Sequence, residues 1–141
     1  EWYKSGEGKG MSYWYQNTGA WWTNANSKPN DGISLEEQLK DPNSLFLFYK
    51  KIISLRKRNV ALSKGKYVYV ESNNKDVFSF YRIDNKQRVL VTVNLSNQTQ
   101  VVTNNNKYIN AKNLLNKNKK FQKSMSLKPY EIDVWELGLS K

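Results

Sequence analysis

Hydrolytic or transfer chemistry in this chain would have to come from carboxylates, serines and aromatic faces, because there is no His and no Cys. Their absence removes the commonest general base, the commonest transition-metal ligand and any thiolate nucleophile, and it leaves the redox compartment open. Two acidic pairs stand out, Glu36-Glu37 and Glu131 with Asp133. Acid–base chemistry by a carboxylate pair needs both groups to face one substrate. Neighbours on a helix point apart, which counts against Glu36 and Glu37. Glu131 and Asp133 share one strand face and read as solvent-facing charge. Ser96 and Ser126 have no His to activate them. Gly6, Gly8 and Gly10 lack the spacing of a phosphate-binding loop, and no strand precedes them. The residues thus indicate no catalytic site, no metal site and no cofactor.

Aromatic residues offer a different chemistry. Residues 1–33 carry Trp2, Tyr3, Tyr13, Trp14, Tyr15, Trp21 and Trp22 among glycines and amides. Flat rings beside polar amides suit sugar faces, so Trp14, Trp21 and Trp22 are candidate carbohydrate-binding residues. The competing reading is that the rings anchor a loop to a core. Asn94-Leu95-Ser96 and Asn97-Gln98-Thr99 match the glycosylation sequon, the first of them explained by a strand and its turn. The net charge of +11 raises the possibility of a polyanion partner. Its make-up, 19 Lys against 4 Arg spread along the chain, argues against specific nucleic-acid recognition, which leans on clustered Arg. No apolar run is long enough to span a membrane, and no signal peptide opens the chain, so the compartment stays open.

The elements that must position these residues fall into three stretches. Residues 1–40 read as loop, closed by a short helix from a Ser34–Glu37 capping box. Residues 41–65 read as the main helix and its connector. Asp41 is expected to cap it, with Pro42 at the first position and basic residues at its end. Leu45-Phe46-Leu47-Phe48-Tyr49 makes the first half apolar nearly all round, so it calls for cover on several sides. Residues 66–141 read as short strands joined by polar turns: 67–71, 77–83, 88–95, 99–103, near 111–115, 121–127 and 131–137. Asp84-Asn85-Lys86-Gln87 forms a hairpin turn. The two-residue period predicts one face in the core and the other in water. The fold expected is mainly β, an antiparallel Greek-key β-sandwich preceded by one long helix and an aromatic loop segment.

Several of these stretches also resemble a known family. Asp41-Pro42-Asn43-Ser44-Leu45 followed by residues 48–57, then Ala61-Leu62 and Gly65, is similar to the last barrel helix and connector of the α-amylase family of glycoside hydrolases (family 13). Residues 76–82, Val91-Thr92-Val93-Asn94-Leu95-Ser96, and Leu127-Lys128-Pro129-Tyr130-Glu131 with Val134 resemble strands of its C-terminal domain, the domain C sandwich. Glu1-Trp2-Tyr3, Trp21-Trp22 and residues 28–38 resemble the segment between the eighth barrel strand and the final helix. The resemblance implies a C-terminal piece of an α-glucan hydrolase. The family's catalytic Asp nucleophile, Glu acid/base and second Asp would then lie upstream of residue 1. It implies an α-glucan and a catalytic barrel in cis as partners, and self-association through the exposed barrel-facing helix as a further possibility. The role expected is stabilising and non-catalytic. A stand-alone carbohydrate-binding module and a basic polyanion-binding domain are the two rival expectations.

Overall fold

A computed structural model describes residues 2–12, 19, 29–72, 74–104 and 110–138 of the 141-residue chain. The chain divides into two units, Glu1–Ser54 and Leu55–Lys141.

In the first unit, α1 (Leu35–Gln38) starts from the expected capping box. The Ser34 hydroxyl accepts from the Glu37 amide at 3.3 Å, and the Glu37 carboxylate accepts from the Ser34 amide at 3.3 Å. The amino-terminal loop is stitched to this helix. The Glu36 amide donates to the Trp2 carbonyl at 3.0 Å, and the Asn30 amide to the Lys4 carbonyl at 2.7 Å.

The long helix α2 (Leu45–Arg58) begins later than Asp41. Ser44, not Asp41, meets its first amides. The Ser44 hydroxyl accepts from Leu47 at 3.3 Å, and Gln38 Oε1 accepts from Phe46 at 3.0 Å. Asp41 instead closes the preceding turn, accepting from the Asn43 amide at 2.9 Å. Both residues can cap, and the one three positions downstream prevails because Gln38 serves a second amide beside it. No residue of α2 is buried. Leu45 is 67% exposed and Tyr49 55%.

In the second unit, a short helix α3 (Val60–Lys64) leads to β1 (Lys66–Val70), β2 (Val77–Asp84), β3 (Gln87–Asn94), β4 (Gln100–Thr103), β5 (Lys112–Asn113), β6 (Ser124–Leu127) and β7 (Ile132–Leu137). All pairings are antiparallel. One sheet runs β1-β2-β3-β7-β5, and β4 pairs with β6 in a second. From β3 to β7 the chain alternates between the sheets, so the strand that closes the domain lands beside β3. Asp84 pairs with Gln87, which leaves the two-residue loop Asn85-Lys86 in the hairpin.

The expectation of one dry and one wet face fails at β3. Val89, Leu90, Val91, Thr92 and Asn94 are all buried. Two cores explain this, one on each side of the sheet. On the first, Val89, Val91 and Val134 meet Ala61, with Leu55, Leu62 and Phe80 packed around them. On the second, Leu90, Trp135 and Leu137 meet Met125 of β6 and Phe121. The Phe121 ring stands edge-on to Trp135 at 5.1 Å. The end of α2 and α3 thus act as a lid on one face, while β6, paired with β4, and residues of the 111–121 segment close the other. A central strand covered on both sides loses its polar alternation.

Gly65 joins the helical lid to β1. Its amide donates to the Ala61 carbonyl at 2.9 Å. A Cβ on Gly65 would stand 2.9 Å from the Ile83 carbonyl oxygen and closer still to that of Ala61. Backbone on both sides cannot yield as a side chain would. Gly65→Ala is expected to cost about 1–3 kcal/mol of stability, read as a lower urea midpoint with an unchanged slope.

Candidate functional site

The carboxylates come first because the chemistry would rest on them. Glu37 is occupied in the capping box, and its Oε2 also accepts from the Ser34 hydroxyl at 2.6 Å. Hydrogen bonds from the Ser34 side chain and from backbone amides hold its pKa below the ordinary value. Glu36 accepts from the Lys4 amide at 3.2 Å, which likewise lowers its pKa, and pairs with Lys40 at 3.4 Å. Both are engaged at a helix start.

Glu131 and Asp133 are brought together, though not as surface charge. Lys119 Nζ lies 2.9 Å from Glu131 Oε1 and 2.7 Å from Asp133 Oδ2. Asp133 is only 1% exposed. It points into the second core, where Asn113 Nδ2 donates to its other oxygen at 2.8 Å. The assignment of Asp133 to a solvent-facing position is therefore corrected: β6 and the 111–121 segment cover that face of β7, and Lys119 supplies the compensating charge. One ammonium between two carboxylates forces them close together. A sugar could not enter, because Lys119 fills the gap and Asp133 is sealed. The arrangement is an electrostatic clasp that ties the 116–121 loop to β7.

The shifts in the clasp follow from its geometry. Burial pushes Glu131 up, but the Lys119 ammonium and the Lys128 amide together hold it below the ordinary carboxylate value. Burial pulls Lys119 down, but Asp133 and Glu131 outweigh it and hold the ammonium above its usual value. The lowered Glu131 contributes stability above its unfolded pKa of about 4.3, and that contribution is lost as pH falls through the folded value. The raised Lys119 contributes fully below about pH 10.4, and that contribution is lost as pH rises through its folded value.

Asn94 is buried as well, and it organises the turn after β3. Its Nδ2 donates to the carbonyls of Gln98 at 2.7 Å, Lys128 at 2.8 Å and Leu127 at 3.2 Å. Its Oδ1 accepts from the Ser96 amide at 2.9 Å and hydroxyl at 2.8 Å. The Asn-Leu-Ser run is thus a structural knot joining two connections, and its amide is unavailable to a glycan. Ser96 serves that knot. Ser126 is exposed, beside an open depression of about 400 Å³ lined by Asn118, Lys119, Lys120, Gln122 and Met125. That depression has no aromatic lining on which a sugar could stack.

The proposed sugar-binding tryptophans Trp14, Trp21 and Trp22 lie outside the described residues. Of the other two, Trp135 is fully buried and Trp2 is 61% exposed. A row of rings that the sequence reading did not single out lies on the sheet face shared with the helical lid. Tyr67 stands 5.3 Å from Phe80, Phe80 5.6 Å from Phe78, and Phe78 6.1 Å from Tyr69. The signal was present: Tyr-Val-Tyr and Phe-Ser-Phe place rings at alternate positions of two paired strands. Among the described residues, no three acidic side chains converge as a metal site would require.

No family model matches the chain. Curated relatives do. A glucan 1,6-alpha-glucosidase of Streptococcus pneumoniae is 37% identical over 87 residues, which is 61% of this chain and 16% of the relative. An oligo-1,6-glucosidase of Heyndrickxia coagulans is 28% identical over 120 residues, 85% of this chain and 21% of the relative. Among solved structures, trehalose-6-phosphate hydrolase of Bacillus licheniformis superposes with TM-score 0.62 at 25% identity, over 74% of this chain and 20% of that one. The chain is similar to the C-terminal part of α-amylase-family glycoside hydrolases. A trehalulose synthase in complex with Tris agrees, with TM-score 0.65 at 25% identity over 78% of this chain and 21% of that one. The chain spans about a fifth or less of the length of these relatives.

Removing the clasp's cation leaves Asp133 buried without a counter-charge. Lys119→Met is expected to cost about 3 kcal/mol in chemical denaturation at neutral pH. The fall in wild-type stability below about pH 4 should become shallower in the variant, because Glu131 then loses the partner that lowers its pKa.

Proposed function

We propose that this chain is the non-catalytic C-terminal portion of an α-glucan-hydrolysing enzyme whose reaction is retaining hydrolysis of α-glucosidic bonds. In this reading residues 1–40 are the end of a strand-to-helix loop of a catalytic barrel. Residues 41–65 are the barrel's last helix and connector, and residues 66–141 are the sandwich that stabilises the barrel. The observation that carries the proposal is the state of the acidic pairs. Glu36 and Glu37 are engaged at a helix start, and Glu131 and Asp133 are held by one lysine, so both pairs are committed to other partners. The similarity to glucosidases that are several times longer points the same way.

The exposed half of α2 fits this arrangement. Leu45, Phe46, Phe48, Tyr49 and Ile53 are each at least about a third exposed. Fully burying side chains of this kind is worth roughly 1.5–3 kcal/mol each, so a helix carrying five of them is built to be covered. The barrel is the proposed cover, and the α-glucan is a partner of the parent enzyme through that barrel.

The purified 141-residue chain, incubated with isomaltose, panose and soluble starch, is expected to release no reducing sugar above the buffer blank. Hydrolysis that tracks the purified chain through successive chromatographic steps would overturn the proposal.

A further inference from the structure

The break between α2 and α3 falls at Asn59, a single extended residue with φ −116° and ψ 111°. Its position marks it as the cap of α3, yet its side chain makes no capping bond there. Asn59 Nδ2 turns back instead and donates to the Leu55 carbonyl at 2.7 Å, closing the end of α2. That leaves the amide of Ala61, the second residue of α3, in need of an acceptor, and Ala61 is fully buried. A buried amide without a partner is costly. The partner comes from β3, 26 residues away in sequence: Gln87 Oε1 accepts from the Ala61 amide at 3.1 Å.

Gln87 does more than cap. Its Nε2 donates to Asn59 Oδ1 at 2.8 Å and to Glu136 Oε1 of β7 at 2.6 Å. One side chain thereby joins the helix break, the start of α3 and two neighbouring strands. Among uncharged side chains of this length, a carboxamide meets the whole set, with an acceptor toward a backbone amide and donors toward two oxygens. The period of β3 puts Gln87 on the face of Val89 and Val91, which Ala61 covers. Arg82 of β2 works beside it, its Nε donating to the Ala61 carbonyl at 3.3 Å.

We infer that Gln87 is the clamp that seats the helical connector on the sheet, capping α3 in place of Asn59 and tying the break to β7 through Glu136. Apolar contact of Leu55, Ala61 and Leu62 with the sheet is non-directional, so it favours cover without fixing an angle. Hydrogen bonds are directional and fix the seat. If residues 41–65 are the last helix and connector of a barrel, the same clamp fixes the joint from which the sandwich departs. That meaning for a parent enzyme rests on the proposed function; the clamp itself does not. Sugar release by the chain would overturn the proposed function and leave the clamp standing.

Two variants of similar length test the clamp in the 141-residue chain. Gln87→Met removes the three hydrogen bonds of the side chain. Gln87→Glu keeps an acceptor for the Ala61 amide but sets a carboxylate against Glu136 and Asn59 Oδ1. In urea unfolding at neutral pH, Gln87→Met is expected to raise the unfolding constant about tenfold or more, and Gln87→Glu to raise it further. In a Glu136→Gln background the order of the two should reverse, because position 136 can then donate to the new carboxylate. The Ala61 amide proton should move upfield in Gln87→Met by more than any amide proton of β7. Equal unfolding constants for the two variants would overturn the inference, as would an order that Glu136→Gln leaves unchanged. So would an Ala61 amide that shifts no more than those of β7. A Gln87→Glu chain that fails to fold supports the clamp if adding Glu136→Gln restores folding, and contradicts it otherwise.

Discussion

The constraint on which the second unit depends is that its sheet is apolar on both sides. Val89 and Val91 point one way from β3, Leu90 points the other, and all three are buried. Neither face can be left to water, so the chain must supply two covers. It supplies β6, paired with β4, to one face, with Met125 and Phe121 inward. To the other it supplies the end of α2 and α3, with Leu55, Ala61 and Leu62. The alternation of the chain between sheets after β3 is the topological consequence. Gly65, pressed between two carbonyls, is the local consequence, because helix and strand must meet closely for the lid to sit down.

Polar groups inside this framework hold the covers in place. Asn94 gives its side-chain amide to the two connections at the end of the sheet, and Lys119 fastens a loop to β7 through Asp133 and Glu131. Each satisfies buried groups that would otherwise be expensive to desolvate. Glu131 and Asp133 are thus engaged in fastening a loop to β7. On this the proposal that the chemistry belongs to a barrel rests.

Much of the fold was legible because strand and hairpin chemistry is local. The two strands within residues 77–95 and the Asp84–Gln87 turn appear where the sequence places them, as does the Ser34–Glu37 capping box. The main helix falls within residues 41–65, where the sequence places it, but its start moved from Asp41 to Ser44. Two good capping residues stand three apart, and the Ser44 hydroxyl is the one that meets the Leu47 amide. The double burial of β3 was not legible, since alternating apolar residues look the same whether the second face meets water or another cover. Asp133 was misread for the same reason: its neutralising lysine is distant in sequence, and nothing near it announces the pair. Of the site residues, Trp14, Trp21 and Trp22 lie outside the described residues. The ring row on β1 and β2 was readable from spacing alone.

The chain's stability thus resides in the doubly covered sheet, and the first half of α2 is weakly held. Amide hydrogen exchange resolved along the 141-residue chain tests that division most directly. Amides of β3 and β7 should be the slowest to exchange, and those of residues 47–54 should exchange by local opening well before the sheet does. Protection of residues 47–54 equal to that of β3 would contradict it, because the apolar half of the helix would then be as firmly covered as the core.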